Sequence, residues 1–240
     1  MPLLDVFTIV NNEEELLAHC LESYASFRSL IGVVSIVDNN STDATLDIIE
    51  RYKSRLPIVL QHHYENSHHG QMRNKALSVC TAPWIFYLDG DETITSDFGD
   101  WLASGEMERA DYWEIFKYTT IIDRYHYVEG GNGYTWRLFR NLPGVGFPQE
   151  IHTEAQHPGL QRRAQVPNVF MSDHTAIKSN EALWAKGIRY AWANRLGVPA
   201  VGPIHEYRGR VDDAFSKSDL TNLYCSELAS KGMLVSIVRK

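Results

Sequence analysis

Hydrophobic and polar positions along the first ninety residues form short apolar runs separated by amphipathic stretches. Short apolar runs bounded by polar residues predict buried strands, whereas apolar residues three or four positions apart predict helices. The predicted strands are residues 5–10, 33–37, 58–60 and 84–88. Helices are predicted to begin at Asn12, within the polar run 38–43, and near Gly70. This alternation favours an α/β fold with a mostly parallel central sheet flanked by helices.

Each predicted helix has one apolar face. Asn12 is the expected N-cap of the first helix, with acidic residues in its first turn. The three faces are Leu16, Leu17, Cys20, Leu21 and Tyr24, then Leu46, Ile49 and Tyr52, and then Met72, Ala76, Val79 and Cys80.

The pattern changes after residue 100, where aromatic residues dominate the predicted strands. Strands are predicted at 111–122, 134–139 and 166–171, and helices at 180–195 and 212–230. Residues 1–100 and 101–240 are therefore interpreted as two halves of one domain with different roles, the second half more mixed in its elements.

Composition narrows the class of protein. The chain has 240 residues, 44% hydrophobic and 22% charged, which is typical of a soluble globular protein. A formal net charge of −7 argues against general nucleic-acid binding, although Arg137, Arg140, Arg162 and Arg163 form a candidate local basic patch. No apolar run approaches the ~20 residues of a membrane span. The three cysteines are far apart, which favours a reducing compartment, and we expect a cytoplasmic protein.

The fourth predicted strand stops abruptly on three carboxylates, Asp89, Asp91 and Glu92. Clustered carboxylates repel each other unless a positive charge neutralises them. Oxygen ligands at close spacing suit a hard cation such as Mg²⁺ or Mn²⁺, and Gly90 would allow the turn that directs both aspartates to one point. The alternative is an ordinary acidic turn between two elements.

The sequence lacks both common glycine-rich phosphate loops, GxGxxG and GxxxxGK[ST]. A bound nucleotide diphosphate would need another source of positive charge, and a metal on Asp89 and Asp91 would supply it. The histidines at 62, 63, 68 and 69 lack the ligand spacing of a zinc site and are interpreted as a loop bordering the nucleotide site.

Four motifs resemble, in order and spacing, those of the family 2 glycosyltransferases of GT-A fold, and they cover roughly the first 95 residues. They are Asn11-Asn-Glu-Glu14, Val37-Asp-Asn-Asn-Ser-Thr-Asp-Ala-Thr45, Arg73-Asn-Lys-Ala-Leu77 and Phe86-Tyr-Leu-Asp-Gly-Asp-Glu92. The last contains the family's Asp-x-Asp (DXD) motif. The resemblance implies a Rossmann-like GT-A domain, with a nucleotide-binding first half and an acceptor-binding second half.

The resemblance also implies roles for individual residues. The donor-binding set is Asn11, Glu13, Asp38, Arg73 and Asp89. Asp38 would contact the nucleobase or ribose, Asp89 the donor ribose or sugar, and Asp91 with Asp89 would hold Mn²⁺ or Mg²⁺. Two alternatives stay open: Asp38 as a helix cap and Arg73 as a surface helix residue.

In the second half, Arg137-Leu-Phe-Arg-Asn141, Ile151-His152 and His174 resemble the tail of a bacterial subgroup of that family. The glutamate that follows the histidine in the subgroup is Thr153 here, and Glu154 comes one place later. Glu150, His152 and Glu154 would share one face of a strand and are the catalytic candidates, while His174 is the candidate third metal ligand. The competing interpretation of Glu150, His152 and Glu154 is the solvent face of an edge strand. That of His174 is a polar residue at a strand end.

The function predicted from the resemblance is metal-dependent sugar transfer from a nucleotide-diphosphate donor, expected to be a UDP-sugar. The acceptor would be a hydroxyl of a glycan, a lipid-linked molecule or a protein. The alternative is a non-catalytic sugar-nucleotide or glycan-binding module on the same fold. A nucleotidyltransferase is disfavoured because the first loop is neither glycine-rich nor basic.

Overall fold

The computed structural model describes residues 2–63, 69–119, 126–129, 133–148, 154–174, 178–179 and 236–239. The strands are β1 (Leu4–Val10), β2 (Ile31–Asp38), β3 (Ile58–His62), β4 (Trp84–Tyr87), β5 (Glu92–Ile94), β6 (Tyr112–Thr119), β7 (His126–Glu129), β8 (Gly133–Arg140), β9 (Arg163–Asp173) and β10 (Ser236–Arg239). The α-helices are α1 (Leu17–Ser26), α2 (Thr45–Tyr52), α3 (His69–Leu77) and α4 (Asp97–Ala103).

Eight strands form one sheet in the order β3-β2-β1-β4-β8-β6-β9-β5. The first four are parallel to one another, as the alternation of strands and helices predicts. Strand β8 is antiparallel to both β4 and β6, β9 is parallel to β6, and β5 is antiparallel to β9. The α/β prediction is confirmed, and the second half makes the sheet mixed.

Helices cover both faces of the parallel strands. On one face, the predicted stripe of α1 is fully buried, and Ile48 and Ile49 of α2 join the same core cluster. On the other, Met72 and Ala76 of α3 pack in a second cluster with residues of β1 and β4. Helix α3 ends at Leu77, so the predicted continuation to Cys80 is wrong.

Asn12 is not the N-cap of α1, which begins five residues later at Leu17. Its backbone has a φ of 54°, and its side-chain oxygen accepts a 2.8 Å hydrogen bond from the Thr42 N–H. Ser41 Oγ accepts from the Asn12 N–H and Thr45 Oγ1 from the Glu13 N–H. The polar residues after β1 and β2 therefore bind each other's loops, since the parallel strands bring both loops to one end of the sheet.

A β-bulge interrupts the pairing of β6 and β8. Trp113 and Glu114 are adjacent on β6 but pair with Leu138 and Trp136, which leaves Arg137 as the extra residue of β8. Bulges bend a strand and redirect side chains, often beside active sites.

The remaining predictions for the second half have mixed outcomes. The strands predicted at 111–122, 134–139 and 166–171 correspond to β6, β8 and β9. The helices predicted at 180–195 and 212–230 lie outside the described residues. Strand β10 pairs with β7 in a separate two-stranded sheet.

Among the helices of the described ranges, none has the length and apolar character needed to cross a membrane.

Candidate active site

Three polar residues lie at the carboxyl ends of three adjacent parallel strands. Asn11 follows β1, Asp38 ends β2, and Asp89 comes two residues after β4. Strand β1 pairs with both of the others, so the three ends meet at one end of the sheet. In open α/β sheets this is where ligands bind. Asn11 donates from Nδ2 to the Asn39 carbonyl at 2.6 Å, which joins two of these ends.

Asp38 is almost completely buried and closes a tight polar turn. Its carboxylate accepts from the Ser41 N–H at 3.2 and 3.3 Å, and Nδ1 of His62 lies 3.5 Å from Oδ2. Helix α2 begins only at Thr45 and has no side-chain cap. The helix-cap interpretation of Asp38 is therefore wrong.

Asp89 lies between two arginines. Arg73 Nη2 is 3.2 Å from one carboxylate oxygen, and Arg137 Nη2 is 3.4 Å from the other. Arg73 is buried, so it is not a surface helix residue. Both guanidinium groups lie over the ring of Tyr87, at 5.1 and 4.6 Å from its centroid, which adds a cation–π contact. Burial by itself raises the pKa of Asp89, but Arg137 and Arg73 outweigh it and hold the pKa well below its ordinary value. Asp89 is thus a carboxylate anion whose side chain remains one third exposed.

Glu92 turns away from the surface. Its side chain is 1% exposed and contacts Arg137 Nη2 at 2.6 Å and Lys117 Nζ at 3.3 Å. Its other oxygen accepts from the Asp89 N–H at 2.9 Å, closing the turn after β4. Lys117 also contacts Asp173 at 3.0 Å. Burial raises the pKa of Glu92, with Arg137 opposing it. Glu92 therefore holds Arg137 in place beside Asp89.

Asp91 is paired with Lys178. The Lys178 ammonium lies 2.9 Å from Oδ2 of Asp91, and at 2.7 and 2.6 Å from the two carboxylate oxygens of Glu13. All three side chains are mostly buried. Gly90 has a different role from the one expected: a Cβ there would lie 3.0 Å from Cγ of Glu13, so the glycine permits the close approach of the two loops.

His174 lies directly after β9, and the antiparallel pairing of β5 with β9 brings it to Asp91. Its backbone N–H donates to the Asp91 carbonyl at 2.8 Å, and its Nε2 is 2.8 Å from Thr93 Oγ1. The side chain is buried. A backbone hydrogen bond therefore joins His174 to Asp91, while the imidazole contacts Thr93, and the role of His174 as a metal ligand stays a prediction.

Of the three catalytic candidates, Glu154 lies within the described residues, whereas Glu150 and His152 lie outside them. Glu154 is exposed, and its carboxylate is 3.8 Å from Arg163. Partial burial raises its pKa, against the attraction of Arg163. Arg163 in turn lies 4.5 Å from the ring centroid of Trp136.

The chemistry of the donor atoms fits a hard divalent cation at Asp91 and Asp89. Carboxylate oxygens are the preferred ligands of Mg²⁺ and Mn²⁺. Within the described part of the chain, no three His, Cys, Asp or Glu side chains are grouped closely enough to hold a metal ion. Nitrogen cations neutralise both aspartates instead, Lys178 at Asp91 and two arginines at Asp89.

Three residues of this site, Lys117, Arg137 and Lys178, were not predicted from the sequence as site residues. Arg137 was grouped with nearby arginines as a candidate basic patch, which is wrong because Arg137 is buried among carboxylates. Arg140 and Arg162 both bind Asp111, away from that cluster. The excess of carboxylates at the end of β4 was a signal that buried cations must exist, but it did not identify them.

The chain is similar in sequence to known glycosyltransferases. Residues 5–103 match the family described as glycosyl transferase family 2. The lipopolysaccharide core biosynthesis glycosyltransferase LpsC of Rhizobium meliloti is 34% identical over 92 residues, which are 38% of this chain and 32% of LpsC. The chain spans 32–39% of the length of the first curated relatives it matches.

Solved structures share the GT-A fold at low sequence identity. The mannosyltransferase PcManGT from Pyrobaculum calidifontis, in complex with GDP-Man and Mn²⁺, has a TM-score of 0.57 and 16% identity, covering 97% of this chain and 76% of that one. TarS 1–349 of S. aureus, in complex with UDP-GlcNAc, has a TM-score of 0.50 and 17% identity, covering 94% and 72%. These similarities establish the fold.

Proposed function

We propose that the chain is a member of glycosyl transferase family 2, the family that residues 5–103 match, and that it transfers a sugar from a nucleotide-diphosphate donor to an acceptor hydroxyl. One observation carries the proposal: the carboxylates of Asp38, Asp89 and Asp91 lie at the carboxyl ends of β2 and β4, the two parallel strands on either side of β1, at the end of the sheet where such folds bind ligands. Buried cations hold two of these carboxylates in place.

The proposed donor is a UDP-sugar. Asp38 would accept a hydrogen bond from the nucleoside, and Asp89 would accept from the ribose or the sugar. Arg73, which contacts Asp89, would lie near the diphosphate. Asn11 and Glu13 complete the donor set from the loop after β1. The solved relatives named above hold UDP-GlcNAc and GDP-Man, so a guanine nucleotide is the competing donor to test.

Mn²⁺ or Mg²⁺ is the proposed cofactor, with Asp91 and Asp89 as its carboxylate ligands and His174 as the third ligand. Because these three side chains are not grouped closely enough in this structure, binding would require them to move toward one another. When bound, the ion would neutralise the negative charge that develops on the departing diphosphate. The buried arginines below Asp89 keep this carboxylate ionised, which is the state that binds a cation.

Residues 101–240 are proposed to bind the acceptor, which would be a glycan, a lipid-linked molecule or a protein. Glu150, His152 and Glu154 remain the candidates for the base that deprotonates the acceptor hydroxyl in an inverting reaction. The raised pKa of Glu154 makes its carboxylate a better proton acceptor than an ordinary glutamate. We propose that this reaction takes place in the cytoplasm, because the three widely separated cysteines favour a reducing compartment.

Calorimetry with UDP and GDP, with and without Mn²⁺, tests the donor site. The parent should bind UDP only when Mn²⁺ is present and should release UDP from a UDP-sugar. Asp91→Asn should lose the metal-dependent binding but retain the circular dichroism of the parent. Asp47→Asn, an exposed aspartate of α2, is the matched control and should bind like the parent. Equal UDP affinity with and without Mn²⁺ in both the parent and Asp91→Asn would contradict the metal assignment. A parent that binds no nucleotide would contradict the function.

A further inference from the structure

Two buried carboxylates from separate loops share one ammonium group. Glu13 follows β1, Asp91 follows β4, and Lys178 belongs to a segment distant from both in sequence. The exposed fractions of the three side chains are 12%, 4% and 5%. Two carboxylates this close and this buried repel strongly unless a cation lies between them.

We infer that Lys178 is a resident counter-cation of the donor site, which holds Glu13 and Asp91 together and is displaced when a divalent cation binds to Asp91. This inference rests on the proposed metal-dependent function. A second positive charge at Asp91 Oδ2 would meet the Lys178 ammonium, which lies only 2.9 Å from that atom. The ion and the ammonium therefore compete for the same carboxylate oxygen.

Displacement of Lys178 would also affect the loop after β1. The adjacent Ser179 donates its backbone N–H to Glu15 Oε2 at 2.8 Å, so residues 178–179 contact the 13–15 turn at two points. Because this segment comes from the acceptor-binding half, metal binding in the donor site would change how the two halves contact each other. Lys178 thus neutralises the negative charge of Glu13 and Asp91 before the metal binds. Metal binding would then release a contact made by the second half of the chain.

Titration of Mn²⁺ alone into the nucleotide-free full chain tests the competition. Lys178→Met keeps the length of the side chain and removes its charge, so Mn²⁺ should bind about tenfold more tightly than in the parent, as expected when one close positive charge is removed. The Tm of this variant without metal should fall, and Mn²⁺ should raise it more than it raises that of the parent. Lys178→Arg retains the charge and should bind Mn²⁺ like the parent. Equal or weaker Mn²⁺ binding by Lys178→Met would overturn the inference.

A measurement on the parent decides the case if Lys178→Met does not fold. Labelling of lysines with an amine-reactive reagent, followed by mass spectrometry, should show Lys178 protected without metal and more reactive when Mn²⁺ is added. Lys53, which is exposed directly after α2, should react equally in both conditions. Unchanged labelling of Lys178 at saturating Mn²⁺ would overturn the inference. UDP binding is measured on the same parent preparation. If UDP binds, unchanged labelling overturns only this inference; if UDP does not bind, the proposed function fails.

Discussion

The guanidinium of Arg137 joins two carboxylates of different exposure: Nη2 lies 2.6 Å from the buried Glu92 and 3.4 Å from the partly exposed Asp89. The buried Glu92 holds the guanidinium of Arg137 in place. Arg137 in turn lowers the pKa of Asp89, whose carboxylate is partly exposed to a ligand. The bulge at Arg137 in β8 makes this contact geometrically possible, because it redirects a strand residue toward the end of β4.

Arg137→Met should lower the free energy of unfolding by about 3–5 kcal/mol, because it leaves the buried carboxylate of Glu92 without its main partner. Arg109→Met is the control and should cost about 1 kcal/mol or less, since Arg109 and its partner Glu106 are both largely exposed. Urea denaturation measures both changes. The double variant Glu92→Gln/Arg137→Met should recover part of the loss. Costs that simply add in the double variant would show that the two side chains are not energetically coupled.

Asp38→Asn should weaken UDP binding about tenfold but leave the requirement for Mn²⁺ intact, because the substitution keeps the shape of the side chain and removes the charged acceptor. Calorimetry and thermal unfolding measure the two properties separately. Asp43→Asn is the control in the same loop, since Asp43 accepts from the Thr45 and Glu14 N–H groups and acts on loop geometry. UDP binding of Asp38→Asn equal to that of the parent, together with a lower Tm, would assign Asp38 a structural role.

His174→Asn should weaken Mn²⁺ binding about 10- to 100-fold while changing Tm little, if the imidazole is the third metal ligand. Thr93→Val removes the hydroxyl that contacts Nε2 and should cause a smaller loss, because it affects only the orientation of the ring. Mn²⁺ titration monitored by electron paramagnetic resonance gives both affinities. A variant with parental Mn²⁺ affinity and a much lower Tm would make His174 a structural partner of Thr93.

Asp111 should contribute to acid sensitivity. Hydrogen bonds from Arg162, and further contacts from Arg140, hold its pKa well below the ordinary value in the folded state. A depressed pKa stabilises the fold above the ordinary pKa of about 3.9, and this stabilisation is lost as pH falls from about 5 toward 2. Asp111→Asn should therefore show a shallower loss of stability over this range than the parent, by urea denaturation at each pH. The exposed Asp47→Asn should retain the parental slope, and an equal slope in Asp111→Asn would contradict the assignment.

The sequence by itself determined the parallel strands, the buried face of α1 and the positions of Asn11, Asp38 and Asp89 at strand ends. These features depend on local periodicity and on the points where apolar runs stop, both of which are encoded by neighbouring residues. The N-cap at Asn12 was wrong because a polar residue after a strand can bind a neighbouring loop as well as its own helix, and local sequence does not distinguish the two.

Only the tertiary structure decided which cations compensate the carboxylates after β4. Arg137 reaches Glu92 through a bulge set by register between strands, Lys117 reaches it across the sheet, and Lys178 reaches Asp91 from a segment far along the chain. Electrostatic compensation requires that a buried charge have a partner, but it does not specify where in the sequence the partner lies. The chain therefore encoded the need for positive charge at this site locally, while long-range packing selected the residues that supply it.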